Sequence, residues 1–204
     1  MVTDRWGDPV DPEKLEAAIK AHPDAKVVAF VHAETSTGVR SDAETLCRLA
    51  KSAGMLVIVD AVTSLAGIDL KADAWGADVV YSGTQKCLSG LPGISPITFS
   101  DDAVSAIQAR TQKVQSWFLD MNLIMGYWGE GAKRAYHHTA PVNAIYALHE
   151  ALLMLEEESL EASIARHQDN HVTLAAGLSK LGLDLAVSEP CLLYTSPSPR
   201  DVEE

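Results

Sequence analysis

Three short apolar runs, each ending in a polar residue, most narrowly constrain the fold of this chain. They are Lys26–His32 (KVVAFVH), Met55–Asp60 (MLVIVD) and Asp78–Ser82 (DVVYS). A near-continuous apolar run of this length is typical of a strand buried on both faces of a parallel sheet. Helical periodicity in the stretches between the runs supplies the crossover helices that parallel strands need. The sequence therefore predicts an α/β domain with a mostly parallel sheet flanked by helices.

Helix signals lie on both sides of the first strand. Asp11 is placed to cap a helix over residues 12–22, and Ser41 or Asp42 is placed to cap a helix that ends near residue 53. The remaining predicted elements are an edge strand over 95–100 that is antiparallel to its neighbours, helices over 101–112, 141–158 and 160–181, and a strand that begins at 183.

Composition excludes several classes of protein. A net charge of −12 and a pI near 4.9 argue against a nucleic-acid partner. The three cysteines, Cys47, Cys87 and Cys191, have neither metal-ligand spacing nor a disulfide framework, which indicates a reducing, intracellular compartment. The sequence has no run of 18 apolar residues, so we expect no membrane span.

Two residues with complementary chemistry follow neighbouring strands. Asp60 closes one strand, and Lys86 stands in a polar loop after the next. Open α/β sheets bind ligands at their carboxyl edge, where both residues are expected. Lysine is the side chain that can hold pyridoxal phosphate as an imine, and a carboxylate keeps the pyridine nitrogen of that cofactor protonated. Each residue alone also has an ordinary structural explanation, because an Asp after a strand commonly caps a turn and a loop lysine is usually solvated.

Three motifs support the chemical interpretation. They are HAETSTG at His32–Gly38, SGTQK at Ser82–Lys86 and YHHT at Tyr136–Thr139. With these motifs in order, the chain resembles the class V aminotransferases, which are pyridoxal-phosphate enzymes with the large domain of transferase fold type I. The resemblance implies that Lys86 carries the cofactor and that Asp60 contacts its ring nitrogen.

The resemblance also assigns roles to residues around that pair. It implies that Thr35 contacts the cofactor near its ring hydroxyl and that Gln85 contacts the ring hydroxyl or the phosphate. The cysteine desulfurases, which share the fold, usually carry histidine before the lysine. Gln85 therefore argues against that branch.

The YHHT segment allows two interpretations. Adjacent histidines suggest a metal, but no carboxylate or cysteine partner is spaced to close the coordination shell, so no metal is expected. In the aminotransferases that the chain resembles, this segment reaches across a dimer to the partner's cofactor phosphate. The resemblance thus implies a homodimer in which Tyr136 and Thr139 are the phosphate donors.

The implied reaction moves an amino group from alanine or serine to glyoxylate, and its substrates are amino acids and 2-oxo acids. Alternatives within the family are serine–glyoxylate and 2-aminoethylphosphonate transaminases. An alternative of another class is an inactive fragment that does not bind the cofactor.

The resemblance covers residues 3–190 and implies further sequence on both sides. A glycine-rich phosphate-binding turn, an aromatic that stacks on the ring and a substrate-binding arginine have no counterpart in the chain. We expect a partial large domain over 1–158, a linking helix and the start of a small domain over 159–190, and a non-native Ser/Pro-rich tail over 191–204. The compartment stays open between cytoplasm, peroxisome and mitochondrion.

Overall fold

The α/β prediction is confirmed. The computed structural model of the chain describes residues 1–128 and 135–187. The helices in these ranges are α1 (Pro12–Ala21), α2 (Ala43–Ser52), α3 (Ala72–Trp75), α4 (Asp101–Gln108), α5 (Met121–Trp128), α6 (Val142–Glu158) and α7 (Leu160–Lys180). The strands are β1 (Val27–Val31), β2 (Ala33–Glu34), β3 (Val39–Arg40), β4 (Leu56–Asp60), β5 (Val79–Tyr81) and β6 (Ile97–Phe99).

Four strands form a sheet in the order β1-β4-β5-β6. The pairs β1·β4 and β4·β5 are parallel, and β6 runs antiparallel to β5 as predicted. The two parallel connections contain α2 and α3, which satisfies the need of a parallel pair for a crossover. A separate two-stranded antiparallel sheet joins β2 to β3. The carboxyl ends of β1, β4 and β5 therefore meet at one edge.

The core lies between α2 and the centre of the sheet. Val57 and Val59 are two positions apart on β4, so they point to the same face of the sheet, where they are fully buried. Cys47 and Ala50 of α2 pack in the same cluster. The cap of α2 is Asp42, whose side chain accepts a hydrogen bond from the Thr45 amide. Helix α2 thus covers one face of β4 and holds it in register.

Two predictions for single elements are wrong. Strand β1 is not buried on both faces, since Val27 and Val31 are 46% and 36% exposed. The exposure of these side chains is explained by the position of β1, which lies at the end of the strand order of the described sheet and not in the middle. Residues 183–187 form no strand and are irregular. Residues 188–190 and the predicted tail at 191–204 lie outside the described residues.

Helix α7 is tied back to the loop that follows β4. The hydroxyl of Ser163, which is fully buried, donates a hydrogen bond of 2.9 Å to the carbonyl of Ala66. Arg166 binds both carboxylate oxygens of Glu158 at 2.5 and 2.8 Å, which joins α7 to the end of α6. These contacts cross the domain boundary expected after residue 158, and the division itself stays a prediction.

Asp78 is a buried carboxylate at the amino end of β5. It is 2% exposed and accepts hydrogen bonds from Lys51 Nζ at 2.9 and 3.0 Å, from the Val57 amide at 2.8 Å and from Ser100 Oγ at 2.8 Å. Burial by itself raises the pKa of Asp78, but the bonds from Lys51, Ser100 and Val57 outweigh it and hold the pKa below its ordinary value of 3.8. One side chain thus joins α2, β4 and β5 with the start of α4.

Acid should remove the contribution of Asp78 to stability. A carboxylate whose pKa is lowered by folding contributes fully above its unfolded pKa and loses that contribution as pH falls through the folded pKa. We therefore expect the difference in free energy of unfolding between the wild-type chain and Asp78→Asn to be constant above about pH 5 and to shrink below 3.8. Denaturant titrations from pH 7 to pH 3 measure this difference. A difference that does not change with pH would contradict the expectation.

Within residues 1–128 and 135–187, no helix combines the length and the apolar character that crossing a membrane requires.

Candidate active site at the carboxyl edge of the sheet

The carboxyl edge brings Asp60 beside Tyr81. The two residues are register partners on the parallel strands β4 and β5, so their side chains leave the sheet on the same face. Backbone hydrogen bonds continue past the strand ends, from the His32 amide to the Asp60 carbonyl and from the Ala61 amide to the Tyr81 carbonyl, each at 2.9 Å. These bonds fix the backbone on both sides of Asp60.

Both carboxylate oxygens of Asp60 accept hydrogen bonds. The Val62 amide donates to Oδ1 over 2.9 Å, and the hydroxyl of Tyr81 donates to Oδ2 over 2.7 Å. The bond to Asp60, burial and the carboxylate charge together raise the pKa of Tyr81 to about 12. Tyr81 therefore stays protonated and remains a donor at neutral pH. The carboxylate keeps further lone pairs for a third donor.

Lys86 lies half-buried in the loop that leaves β5. The loop is anchored by Thr84, which is 1% exposed. The hydroxyl of Thr84 lies within hydrogen-bond reach of the carbonyls of Leu91 and Ile94, and the Thr84 carbonyl accepts from the Gly90 amide at 2.8 Å. A side chain at Gly90 would come within 3.2 Å of that carbonyl, so the close approach favours glycine. The lysine is thus presented by a closed and internally bonded loop.

Thr84→Val should loosen this loop. The substitution keeps the shape of the side chain but removes the hydroxyl from the carbonyls of Leu91 and Ile94, and the Ile94 carbonyl still accepts from the Thr84 amide at 3.3 Å. The expected cost is that of one ordinary hydrogen bond, about 0.5–1.5 kcal/mol. We expect a lower free energy of unfolding and faster proteolysis within residues 84–94. Thr111→Val, at an exposed position, is the matched control and should change neither quantity. Equal behaviour of the two variants would show that Thr84 does not anchor the loop.

Gln85 is exposed beside Lys86 and its amide folds back over Gly83. A Cβ atom built on Gly83 would lie 2.7 Å from Oε1 of Gln85, which is closer than real contacts allow. The absence of a side chain at Gly83 therefore lets the amide of Gln85 lie against the loop backbone. Its predicted contact with the cofactor stays a prediction.

The HAETSTG segment contains strand β2 and the turn of the β2–β3 hairpin, rather than a simple strand-to-helix connection. Glu34 accepts hydrogen bonds from both the amide and the hydroxyl of Ser36, at 3.0 and 2.7 Å, and these bonds lower the pKa of Glu34. Thr35 lies exposed in the turn. His32, at the start of the segment, is 3% exposed and packs edge-on against Trp75. Burial, followed by the charge of Arg40, lowers the pKa of His32 to about 4, which suits a packing residue.

The YHHT segment presents its two hydroxyls outward. Tyr136 and Thr139 are exposed, and their oxygens are 2.8 Å apart in a mutual hydrogen bond. His137 lies between them in the sequence and is buried. Its ring stacks on the ring of Trp117, with the two ring centroids 3.9 Å apart. Nε2 of His137 also donates to the carbonyl of Trp117 at 3.0 Å. The buried histidine anchors the segment, so the hydroxyls on either side of it face solvent.

The two histidines of this segment bind each other. Since a carbonyl only accepts, His137 donates through Nε2, and its Nδ1 then accepts from Nδ1 of His138 at 2.7 Å when both rings are neutral. Across the described part of the chain, no group of three His, Cys, Asp or Glu side chains is placed to hold a metal ion.

The arrangement fits pyridoxal phosphate by the chemistry of its donors. Asp60 supplies a carboxylate at the end of β4, suited to a pyridine nitrogen, and Lys86 supplies an amine after the adjacent strand β5. Tyr81 also bonds to the candidate carboxylate, although none of the sequence motifs indicates a role for it. The pairing of Tyr81 with Asp60 depends on the register between β4 and β5, which a local sequence motif does not report.

Comparison with known proteins identifies one enzyme family. Residues 5–190 match the family model of Aminotransferase class-V. The chain is 40% identical over 181 residues to alanine–glyoxylate aminotransferase of Oryctolagus cuniculus, with 88% of the chain and 46% of that protein covered.

Solved structures agree as well. The crystal structure of alanine–glyoxylate aminotransferase from Nostoc sp. superimposes with a TM-score of 0.89 at 43% identity, over 96% of this chain and 52% of that one. Ureidoglycine–glyoxylate aminotransferase from Bacillus subtilis gives 0.88 at 35% identity, over 96% and 51%. The chain spans about half the length of these relatives. By the family match over most of its length, the chain belongs to the class V aminotransferases.

Proposed function

We propose that the chain is part of a pyridoxal-phosphate-dependent transaminase that uses glyoxylate as amino-group acceptor. The observation that carries the proposal is the placement of Asp60 and the Lys86 loop after adjacent parallel strands, at one edge of the sheet. Glyoxylate is the shared element in the names of the relatives from rabbit, Nostoc and Bacillus subtilis. The proposal rests on that agreement for its acceptor and on the site for its cofactor.

Each site residue then has a chemical task. Bound pyridoxal phosphate supplies an electron sink for negative charge at the substrate α-carbon. Lys86 would hold the cofactor through its amine and, when that amine is freed, would move the proton at the substrate α-carbon as a general base. Asp60 would supply the carboxylate that suits the ring nitrogen. Thr35 and Gln85 would contact polar atoms of the cofactor from the two flanking loops.

Alanine is the proposed donor, which gives pyruvate while glyoxylate becomes glycine. (S)-Ureidoglycine is the second candidate, because the Bacillus subtilis relative that acts on it is nearly as similar in structure as the Nostoc enzyme. Serine, which would give hydroxypyruvate, is the third. Glycine formation from glyoxylate with each donor in turn ranks them, and the highest kcat/KM identifies the donor. If none of the donors gives glycine above background, the assignment of glyoxylate as acceptor is wrong.

The test of the cofactor site is covalent trapping. We expect the purified chain with added pyridoxal phosphate to develop a visible absorbance band, and borohydride reduction followed by peptide mapping to find the cofactor on Lys86. Attachment to a different lysine would refute the site. Absence of any band would refute the proposal that this chain binds the cofactor.

We also propose that the functional unit is a homodimer, in which Tyr136 and Thr139 reach the cofactor phosphate of the partner subunit. Both hydroxyls are exposed and already within hydrogen-bond distance of each other, so one phosphate oxygen is able to contact both. The buried His137 keeps them in place.

Subunit mixing tests this assignment. Lys86→Ala and the double variant Tyr136→Phe/Thr139→Val should each bind the cofactor poorly or not at all. In a mixed dimer, one of the two sites then combines an intact Lys86 with intact hydroxyls from the other subunit, so mixing should restore binding. If the hydroxyls serve their own subunit, no site in the mixed dimer is intact, and mixing restores nothing.

A further inference from the structure

We propose that Tyr81 is the positioning residue of the active-site carboxylate, and that it acts on the cofactor only through Asp60. The inference rests on the proposed function, since it concerns the same site. It adds a residue to that site that the sequence motifs leave without a role.

The geometry makes Tyr81 the lateral support of Asp60. The two residues are paired across β4 and β5, and the bond between the tyrosine hydroxyl and Oδ2 is 2.7 Å long. The Val62 amide holds the other oxygen at 2.9 Å. Two donors on two different oxygens fix the plane of a carboxylate, which one donor alone leaves free to rotate. Asp60 is thereby oriented before any ligand arrives.

The same bond keeps Tyr81 in the role of donor. The bond to Asp60, burial and the carboxylate charge raise the pKa of Tyr81 to about 12, so its hydroxyl keeps the proton at neutral pH. A pyridine nitrogen at this site would therefore face a carboxylate that two donors hold in one orientation. This support does not require Tyr81 to touch the cofactor.

A purely structural role for Tyr81 is the competing explanation. The residue is half-buried and is the last residue of strand β5, so its ring also packs. The hydroxyl is what separates the two explanations. Tyr81→Phe keeps the ring and removes only the donor to Asp60, and Tyr146→Phe removes a hydroxyl from an exposed tyrosine of α6 as the matched control.

The experiment is a double-mutant cycle on the whole chain with Tyr81→Phe, Asp60→Ala and the combination, read by the dissociation constant of pyridoxal phosphate. Loss of one charge-assisted hydrogen bond predicts a dissociation constant about 10-fold higher for Tyr81→Phe. In the Asp60→Ala background the same change should have little further effect, because the group that it acts through is gone. Additive effects, or no effect of Tyr81→Phe on binding, would overturn the proposal.

The absorbance maximum of the bound cofactor gives a readout that packing alone does not move. Without the Tyr81 hydroxyl, Asp60 would lose one of the two donors that orient it, so the maximum should shift in Tyr81→Phe and keep the wild-type position in Tyr146→Phe. An unshifted maximum in Tyr81→Phe would overturn the proposal.

A second cycle needs no cofactor and separates this inference from the proposed function. The same variants, read by the free energy of unfolding, should also be non-additive. If the wild-type chain forms no complex with pyridoxal phosphate, the proposed function fails, and a non-additive unfolding cycle still supports the coupling of Tyr81 to Asp60. An additive unfolding cycle overturns the coupling whether or not the cofactor binds.

Discussion

Replacing Lys86 with alanine is expected to abolish covalent attachment of pyridoxal phosphate and to leave the chain folded. Among the residues assigned to the proposed site, Lys86 is the one with an amine able to form that bond. Transamination should fall by about 10²–10⁴-fold or more, because the same amine is the proposed proton carrier.

The fold should survive because the loop does not depend on Lys86. Thr84 holds the loop through the carbonyls of Leu91 and Ile94, and the core cluster around Val57 and Val59 does not include Lys86. Circular dichroism and the free energy of unfolding check the fold, while intact mass after borohydride reduction checks attachment.

Lys113→Ala is the matched control, since Lys113 is exposed and belongs to none of the strands. It should retain both the visible band and the mass increase. An undiminished mass increase in Lys86→Ala would show that another amine carries the cofactor, and the assignment of the site would be wrong.

Replacing Asp78 with alanine is expected to destabilise the chain by about 3 kcal/mol. The substitution leaves the Val57 amide and the Ser100 hydroxyl without their acceptor and removes the partner of Lys51. The value lies at the lower end of the range for broken buried pairs, because the Lys51 side chain is 33% exposed and water is able to reach it. Even so, it is a large part of the stability of an ordinary domain.

Asp102→Ala is a sharp control for this variant. Asp102 contacts the same Lys51 at 3.4 Å, but its side chain is 75% exposed, and exposed ion pairs contribute about 0–1 kcal/mol. Denaturant unfolding of the two variants should therefore differ by several times the error of the measurement. Similar losses would mean that charge on Lys51, rather than the buried carboxylate of Asp78, determines stability.

Much of the fold follows from local sequence patterns. Asp11 caps the helix that it was predicted to cap, and Asp42 is the cap of the two candidates offered by Ser41 and Asp42. The strands that end in Asp60 and Tyr81 pair in parallel. The edge that holds Asp60 and Lys86 follows from the same patterns, because all parallel strands of one sheet end on one side.

The differences arise where a property depends on contacts between distant residues. β1 has the composition of a buried strand, yet its position in the strand order leaves Val27 and Val31 half in solvent. The local turn of Glu34 and Ser36 folds the HAETSTG segment into a hairpin. The bond from Tyr81 to Asp60 depends on register across 21 residues, which the chain order does not reveal.

The buried bond from Ser163 to the Ala66 carbonyl limits where the chain is able to hinge. A break in the helix occurs at Ser159, between α6 and α7, and would be the natural place for a pivot. Because Ser163 is hydrogen-bonded to the loop that follows Asp60, the first turn of α7 keeps its position relative to the sheet. Any bend in α7 that leaves this bond intact must therefore lie beyond Ser163, because a pivot at Ser159 would pull on the loop that follows Asp60.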